Sequence, residues 1–187
     1  ADKAENVGIR GQGIINCRGE AKAFEQAGWI LPERYMNRPS TVRFVNCQNV
    51  RVRDVTIRDS AFWTFHLLAC RDVVIHGITI HSYQNKNTDG IDIDSCENVR
   101  MLGSLRESHD DSISIKATTA LPCRRILVDN CVLASNCNAI RIGAENYGGF
   151  EDIRFSNLHI FNTGNAITLQ NIDGYPMRRI SFTNISM

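Results

Sequence analysis

Apolar and polar positions alternate with a period of two along most of this chain, in short runs separated by turn residues. That is strand periodicity, because successive side chains of a strand point to opposite faces. The runs also repeat. "NCQNVRVRDVTI" (46–57), "ACRDVVIHGITI" (69–80), "SCENVRMLGSL" (95–105) and "PCRRILVDNCVL" (122–133) align on a cysteine. "GFEDIRFSNLHI" (149–160) and "PMRRISFTNISM" (176–187) continue the series without it. The equivalent apolar residue is Val50, Val73, Val99, Ile126, Ile153 and Ile180, in steps of 23, 26, 27, 27 and 27 residues. A second alternating run precedes the cysteine position each time: TVRFV, TFHLL, IDIDS, ISIK, AIRIG and AITLQ.

A strand-only period of this length is too long for a hairpin and too short for a domain. It predicts an all-β, stacked-repeat fold, a parallel β-helix with one coil per repeat. A leucine-rich repeat has a similar period but needs a Leu/Asn signature, and leucine is sparse here. The pattern reads as a single domain over 1–187, part of a longer β-helix chain. One exception to strand periodicity, "EAKAFEQAGWI" (20–30), predicts a short helix in an N-terminal insertion. Equivalent residues of successive coils stack about one strand spacing apart, ~4.8 Å. Cys47, Cys70, Cys96 and Cys123 then form an interior ladder of small side chains, expected as free buried thiols rather than disulfides.

Charge and composition narrow the function classes. With 21 basic and 20 acidic residues the formal net charge is +1, and no basic block marks a nucleic-acid partner. The apolar runs are too short to span a membrane. "ADKAENVGIRG" has no apolar core of a signal peptide. No CxxC pair or calcium-loop signature appears, so neither metal nor cofactor is implied.

The repeat register also locates candidate chemistry. Ile91, Ile113, Ile140 and Ile167 are equivalent, and two residues before them lie Asp89, Asp111, Asn138 and Asn165. Asp89 and Asp111 are therefore expected as neighbours on successive coils, with Asp110 beside them. Asp92, Ser114, Arg141 and Thr168 form an exposed or semi-exposed column, and Asp94, Lys116, Gly143 and Gln170 another. Three carboxylates brought within two coils repel, so at least one should keep its proton to higher pH than a free aspartate. A proton-holding acid beside ionised partners is what acid–base hydrolysis of a glycosidic bond uses. Each motif alone, NTDG (87–90) or the Asp110–Asp111 pair, would also pass for a polar turn.

These residues carry a family resemblance. "NTDGIDIDSCENVR" followed by "DDSISIK" resembles the polygalacturonases, family 28 of the glycoside hydrolases, with the two acid motifs 21 residues apart. "GIRGQGIIN" (8–16), Arg38–Pro39, "DSAFWTFHLLAC" (59–70) and "IGAENYGG" (142–149) extend the likeness over nearly the whole chain. The resemblance implies a right-handed parallel β-helix that cleaves a pectin-like polysaccharide with inversion. Asp110 would be the general acid, Asp89 and Asp111 would share activation of water, and Asn87 and Lys116 would lie at the substrate. It also implies a secreted or periplasmic monomer. Two motifs depart from the family. The GHG position is Cys137-Asn138-Ala139, so Asn138 replaces a histidine, and the RIK position is Thr168-Leu169-Gln170. Losing both cations weakens the case for galacturonate at the cleavage subsite, unless Arg141 compensates from the coil before. A neutral sugar, as in a rhamnogalacturonan-type glycan, is the other option.

Smaller features complete the candidate site. Trp63 falls in the Asp89 column and is either a sugar platform or a core aromatic. His109 replaces the usual Gly or Gln before the acid pair and either tunes Asp110 or fills a turn. Gln170 completes the substrate-binding set, and Glu145 reads as structural. The competing functions are a non-catalytic glycan-binding or structural β-helix, such as a tailspike-like segment or a decayed enzyme, and a polysaccharide lyase. A polysaccharide is the one partner read here, without nucleic acid or membrane.

Overall fold

The computed structural model describes residues 1–24 and 38–187. Among the described residues sixteen strands, numbered in chain order, wind into a right-handed parallel β-helix whose coils pair in register. The first stack holds β3 (Val42–Val45), β6 (Phe65–Leu68), β9 (Ile91–Asp94) and β12 (Ile113–Ala117). The second holds β1 (Gly8–Arg10), β4 (Gln48–Arg53), β7 (Arg71–His76), β10 (Glu97–Leu102) and β13 (Cys123–Asp129). The third holds β2 (Ile14–Asn16), β5 (Thr56–Arg58), β8 (Thr79–Ser82) and β11 (Leu105–Ser108). The strands β14 (Val132–Asn146), β15 (Phe150–Leu169) and β16 (Met177–Ser186) run round corners and join more than one stack. The expected helix over 20–30 is described only as a 3-10 turn at Lys22–Phe24, and residues 25–30 of it lie outside the described residues. No helix among the described residues is long and apolar enough to cross a membrane.

Register turns each sequence column into a physical stack. Val50, Val73, Val99, Ile126, Ile153 and Ile180 pair one after another, as the repeat predicts. The four cysteines of the ladder are buried and free. Corners close by a left-handed residue: Asn6, Asn49, Asp72, Asn98, Arg125, Asp152 and Arg179 all have φ between 53° and 58°. Short Asn and Asp side chains tolerate that conformation because they bond locally. Here they bond between coils, Asn49 Nδ2 to Asn6 Oδ1 at 2.5 Å and Asn98 Nδ2 to Asp72 Oδ1 at 2.9 Å.

The core breaks its own rule once. Arg106 stands in register between Ile80 and Leu133, in an interior column of apolar residues, and is 0% exposed. Its Nε and both terminal nitrogens have no hydrogen-bond partner. Burial lowers its pKa to about 10, which is the penalty on the charge expressed as a proton equilibrium. An aliphatic side chain buried there would contribute about 1.5–3 kcal/mol. The guanidinium forgoes part of that and adds the penalty of an unpaired charge.

Arg106→Met should therefore raise stability, by on the order of 1–4 kcal/mol if it behaves like other buried charges replaced by apolar residues of similar volume. Denaturant unfolding of the two proteins measures this. A loss of stability would show that the guanidinium is held by favourable contacts.

Candidate active site

The acid motifs lie where the first stack begins its strands. Ile91 pairs with Ile113, Ile113 with Ile140 and Ile140 with Ile167, so Asp89, Asp111, Asn138 and Asn165 follow one another along the axis. Gly90 makes the close approach possible. A Cβ there would sit 2.4 Å from the Ser112 carbonyl oxygen, so only glycine lets the second coil come up beneath Asp89. The turn carrying Asp110 is clamped through its main chain: the Asp110 carbonyl accepts from Ser108 Oγ at 2.6 Å and Ser135 Oγ at 2.7 Å. Asp110 Oδ2 accepts from Asn87 Nδ2 at 3.3 Å, and Oδ1 from the Asp111 amide at 3.0 Å. Arg38, buried, donates to the carbonyls of Ala61 and Lys86, which fixes the loop presenting Asn87.

These side chains line an open cavity of about 360 Å³ formed by Phe62, Trp63, Asn87, Asp89, Asp110, Asp111, Lys116, Arg141 and Glu145. The expected trio thus shares one cleft. Trp63 is half-buried at its edge, stacked on Phe62 with centroids 5.2 Å apart and edge-on to His66. The Lys116 ammonium lies 5.1 Å from the Trp63 ring, 3.3 Å from Glu145 and 3.9 Å from Asp92. Glu145, expected to be structural, is therefore part of the cleft wall. Asn138 donates to Asp111 Oδ1 at 2.5 Å and accepts from Thr168 Oγ1 at 2.6 Å. Arg141 reaches Asp111 Oδ2 at 3.5 Å and Gln170 Oε1 at 2.6 Å. Gln170 does not line the cavity itself and meets it, among the described residues, through Arg141. His109 is set apart: it lines a neighbouring cavity with Tyr83 and Gln84.

One expectation is corrected. The Asp92–Ser114–Arg141–Thr168 column is not uniformly exposed, since Asp92 and Ser114 are both 0% exposed. The start of the next column is covered too, because Asp94 and Lys116 are buried. The reason is side-chain packing on the outer strand face: Lys116 lies 3.9 Å from Asp92 and itself meets Trp63 and Glu145, and His66 and Thr118 close on Asp94. Asp92, read from the sequence only as the head of that column, is a fourth acid of the cluster, and neither of its oxygens has a hydrogen-bond partner. The signal for it lay in "DGIDID", whose alternation aims Asp92 and Asp94 to the face opposite Ile91 and Ile93. Asp94 is satisfied differently, by Thr118 Oγ1 at 2.6 Å, the Thr118 amide at 2.8 Å and His66 Nε2 at 3.4 Å.

Electrostatics follow from this packing. Burial first, then the charges of Asp92 and Asp110, hold the Asp89 carboxyl well above the ordinary range. Burial does the same to Asp92 despite attraction from Lys116. Asp111 is also raised by burial, although the Asn138 hydrogen bond opposes this. Burial disfavours the Lys116 charge, but the attraction of Asp92, Asp89, Glu145 and Asp111 outweighs it and raises its pKa. Clusters of perturbed acids in a cleft mark functional sites more often than structural ones. Asp110, Asp111 and Cys137 bring potential ligand atoms within 4.8 Å of one another. A thiol must lose its proton to hold a metal. Burial, followed by the charges of Asp110 and Asp111, pushes Cys137 up to about 12, and Arg141 beside Asp111 opposes a second cation.

Fold and cleft together define the class: a right-handed parallel β-helix with stacked carboxylates in an open groove on its first sheet. The chain belongs to family 28 of the glycosyl hydrolases, whose family model, Glycosyl hydrolases family 28, matches residues 1–187. It is 26% identical, over a 230-position alignment, to a protein named probable exopolygalacturonase B of Neosartorya fischeri, covering 97% of this chain and 51% of that protein. A hyperthermoactive exopolygalacturonase from Thermotoga maritima superposes with a TM-score of 0.68 at 32% identity, covering 71% of this chain and 32% of that one. A family 28 exopolygalacturonase of Yersinia enterocolitica shares the fold, with a TM-score of 0.73 at 24% identity over 84% of this chain and 30% of that one. The chain spans about half, or less, of the length of the curated relatives it matches.

The raised acids make stability depend on pH. In the folded state Asp89 keeps a proton that the unfolded chain releases at ordinary carboxylate pH. Its stabilising contribution is therefore present below that range and is lost as pH rises through the folded value. Asp89→Asn imitates the protonated side chain. The melting temperature of Asp89→Asn minus that of the wild type should grow as pH rises from mildly acid to neutral; a difference independent of pH would mean that Asp89 is not raised.

Proposed function

We propose that the protein hydrolyses a glycosidic bond in a uronate-containing, pectin-like polysaccharide, with inversion at the anomeric carbon. The observation that carries this is the convergence of Asp89, Asp110 and Asp111 on one cleft beside an aromatic edge and a cation. Polygalacturonase and exopolygalacturonase names among the relatives support the same chemistry.

Asp110 is the general acid in this reading. It is only half-buried, and its turn is fixed by the two serines, so it can give a proton to the leaving oxygen while staying positioned. Asp89 and Asp111 hold the attacking water between them. Asp111 is 1% exposed and both of its oxygens are engaged, by Asn138 and Arg141, which suits orientation of water better than direct attack on carbon. That argues against a retaining route, in which a carboxylate must reach the anomeric centre itself. Trp63 offers the apolar face of its indole to a pyranose ring.

Arg141 reads the substrate carboxylate. It is the cleft cation with accessible surface, its side chain 26% exposed, whereas Lys116 is 6% exposed and committed to Asp92 and Glu145. Arg141 thus stands in for the two cations missing at Thr168 and Gln170, and Gln170 orients it. A wholly neutral substrate would leave this guanidinium unmatched. A polymer of this kind is met outside the cytoplasm, which makes the protein secreted or periplasmic in this reading.

Asp110→Asn should lower sugar release from polygalacturonate by ~10²–10⁴-fold, the usual contribution of a general acid, with an unchanged fold by circular dichroism. If the wild type releases no reducing sugar from a pectic panel yet retains the glycan, the binding-module reading replaces this one. NMR of the first-formed anomer checks inversion. Arg141→Gln should raise KM for uronate substrates by a larger factor than for a neutral-sugar substrate, while any fall in kcat common to both reports its contact with Asp111. Water activation needs an ionised carboxylate, so the acid limb of kcat/KM should lie above the ordinary aspartate range, as the direction of the Asp89 and Asp111 shifts requires.

A further inference from the structure

The second stack carries a groove on its outer face, on a different side of the solenoid from the acid cleft. Three cavities of about 690, 1140 and 480 Å³ lie along it. The first two share Arg51 and Val74, and the first and third share Arg125, so they form one run parallel to the axis.

The charge pattern in this groove is unusual for a solvated sheet face. In one outward column Arg51, Val74, Arg100, Leu127 and Arg154 stand in register on successive strands. Arginines therefore recur every second coil, roughly two strand spacings or ~9.5 Å apart, with apolar side chains between them. Arg10 and Arg53 pair directly, like charge on like charge. Such a pair is destabilising unless something neutralises it. Of these, Arg53 alone meets a carboxylate, Asp54 at 3.2 Å. Arg51 donates only to the main-chain carbonyls of Val50 and Asp72; the carboxylates of Glu5, Asp54, Asp72 and Asp152 also line the run, but none forms an ion pair with Arg10, Arg51, Arg100 or Arg154 among the described residues. Arg10, Arg100 and Arg154 have no ion pair among the described residues.

The neighbouring column shows that the fold can neutralise its arginines. There Arg71, Glu97, Arg124, Glu151 and Arg178 alternate in sign on successive coils, and Arg124 meets Glu97 at 3.2 Å. One column is balanced within itself and the next is not.

We propose that this groove is a second binding site, separate from the cleft, for an extended polyuronate chain lying along the solenoid axis. Each guanidinium takes a uronate carboxylate in a charge-assisted pair. Val74 and Leu127, half-buried between the arginines, meet the C–H faces of the intervening sugars. The groove has no Phe, Tyr or Trp among its lining residues, His76 being its one aromatic ring, and the whole chain is only +1, so the match is to regularly spaced carboxylates rather than to nucleic acid. Holding the polymer here raises its concentration at the cleft. The identity of the ligand rests on the uronate reading of the cleft.

The test is retention of the 187-residue chain in a polygalacturonate affinity gel, with wild type, Arg100→Gln and the Arg51→Gln, Arg100→Gln, Arg154→Gln triple variant. All three side chains are exposed, and Arg100 has no side-chain hydrogen bond or ion pair among the described residues, so the single variant keeps the fold even if the triple does not. The expected result is a tenfold or greater loss of retention in the triple, a smaller loss in Arg100→Gln, weaker wild-type retention at higher salt, and unchanged turnover of a short oligouronide. Equal retention of all three proteins overturns the proposal. So does retention of a random oligonucleotide that falls in parallel with that of the polymer. If the wild type cleaves no polygalacturonate but its retention still depends on the three arginines, the groove stands and the hydrolase reading of the cleft falls.

Discussion

Everything in this protein depends on the in-register parallel ladder between coils. Each coil bonds to the next through its backbone, so a residue's neighbours along the axis are its equivalents one repeat away. A favourable side chain is repeated as a favourable stack, as in the Val50 column, and a charged one is repeated as a repulsive stack. The corner residues show the constraint at its strictest. A left-handed φ recurs at one place on seven coils, mostly as Asn or Asp, because a shift of one residue would turn every interior side chain outward. The ladder thus supplies a rigid frame on which polar groups can be held against their mutual repulsion.

The acid cleft uses that frame. Asp89, Asp92 and Asp111 would separate on a flexible loop. Here strand pairing fixes Asp89 and Asp111 one coil apart, and the glycine at 90 and the serine clamps on Asp110 fix the approach. The repulsion is met in part by Lys116, which is buried among the acids rather than presented to solvent, and by Arg141 at the rim. The remainder appears as carboxyls that resist ionisation. Arg106 is tolerated on the same terms. It too is an unpaired buried charge that only a strongly cooperative scaffold retains.

Most of the fold was legible in the sequence because the repeat is itself the structure: the steps between Val50 and Ile180 are the coil lengths, and the column of Cys47 is a real stack. The trio was legible for the same reason, since phase across coils distinguishes Asp89 and Asp111 from acids in a turn. What periodicity could not convey was burial on the outer face. Alternation says that Asp92 points away from the core, but not that it is buried there with Lys116 3.9 Å away. It placed His109 beside the acids, yet the turn directs that ring to the adjoining cavity. Arg106 was hidden differently. Its column is apolar, and only pairing with Ile80 and Leu133 shows that a cation occupies an interior place.

The substitution at the GHG position gains meaning from its hydrogen bonds. A histidine there could carry a charge beside Asp111, and that charge would feed back on the acids. Asn138 cannot titrate. Its amide donates to Asp111 and to the Cys137 sulfur and accepts from Thr168 and Asn165, so all of its bonding capacity is used inside the site. Thr168, which stands where the family keeps an arginine, is one of those partners. Asp111, Asn138, Thr168 and Asn165 thus form one uncharged hydrogen-bonded chain onto the acid, spanning three coils. The ionisation of Asp111 is then set by its burial, by the Asn138 hydrogen bond and by the neighbouring charges of Asp110, Arg141 and Lys116, with no titrating group in the Asn138 position.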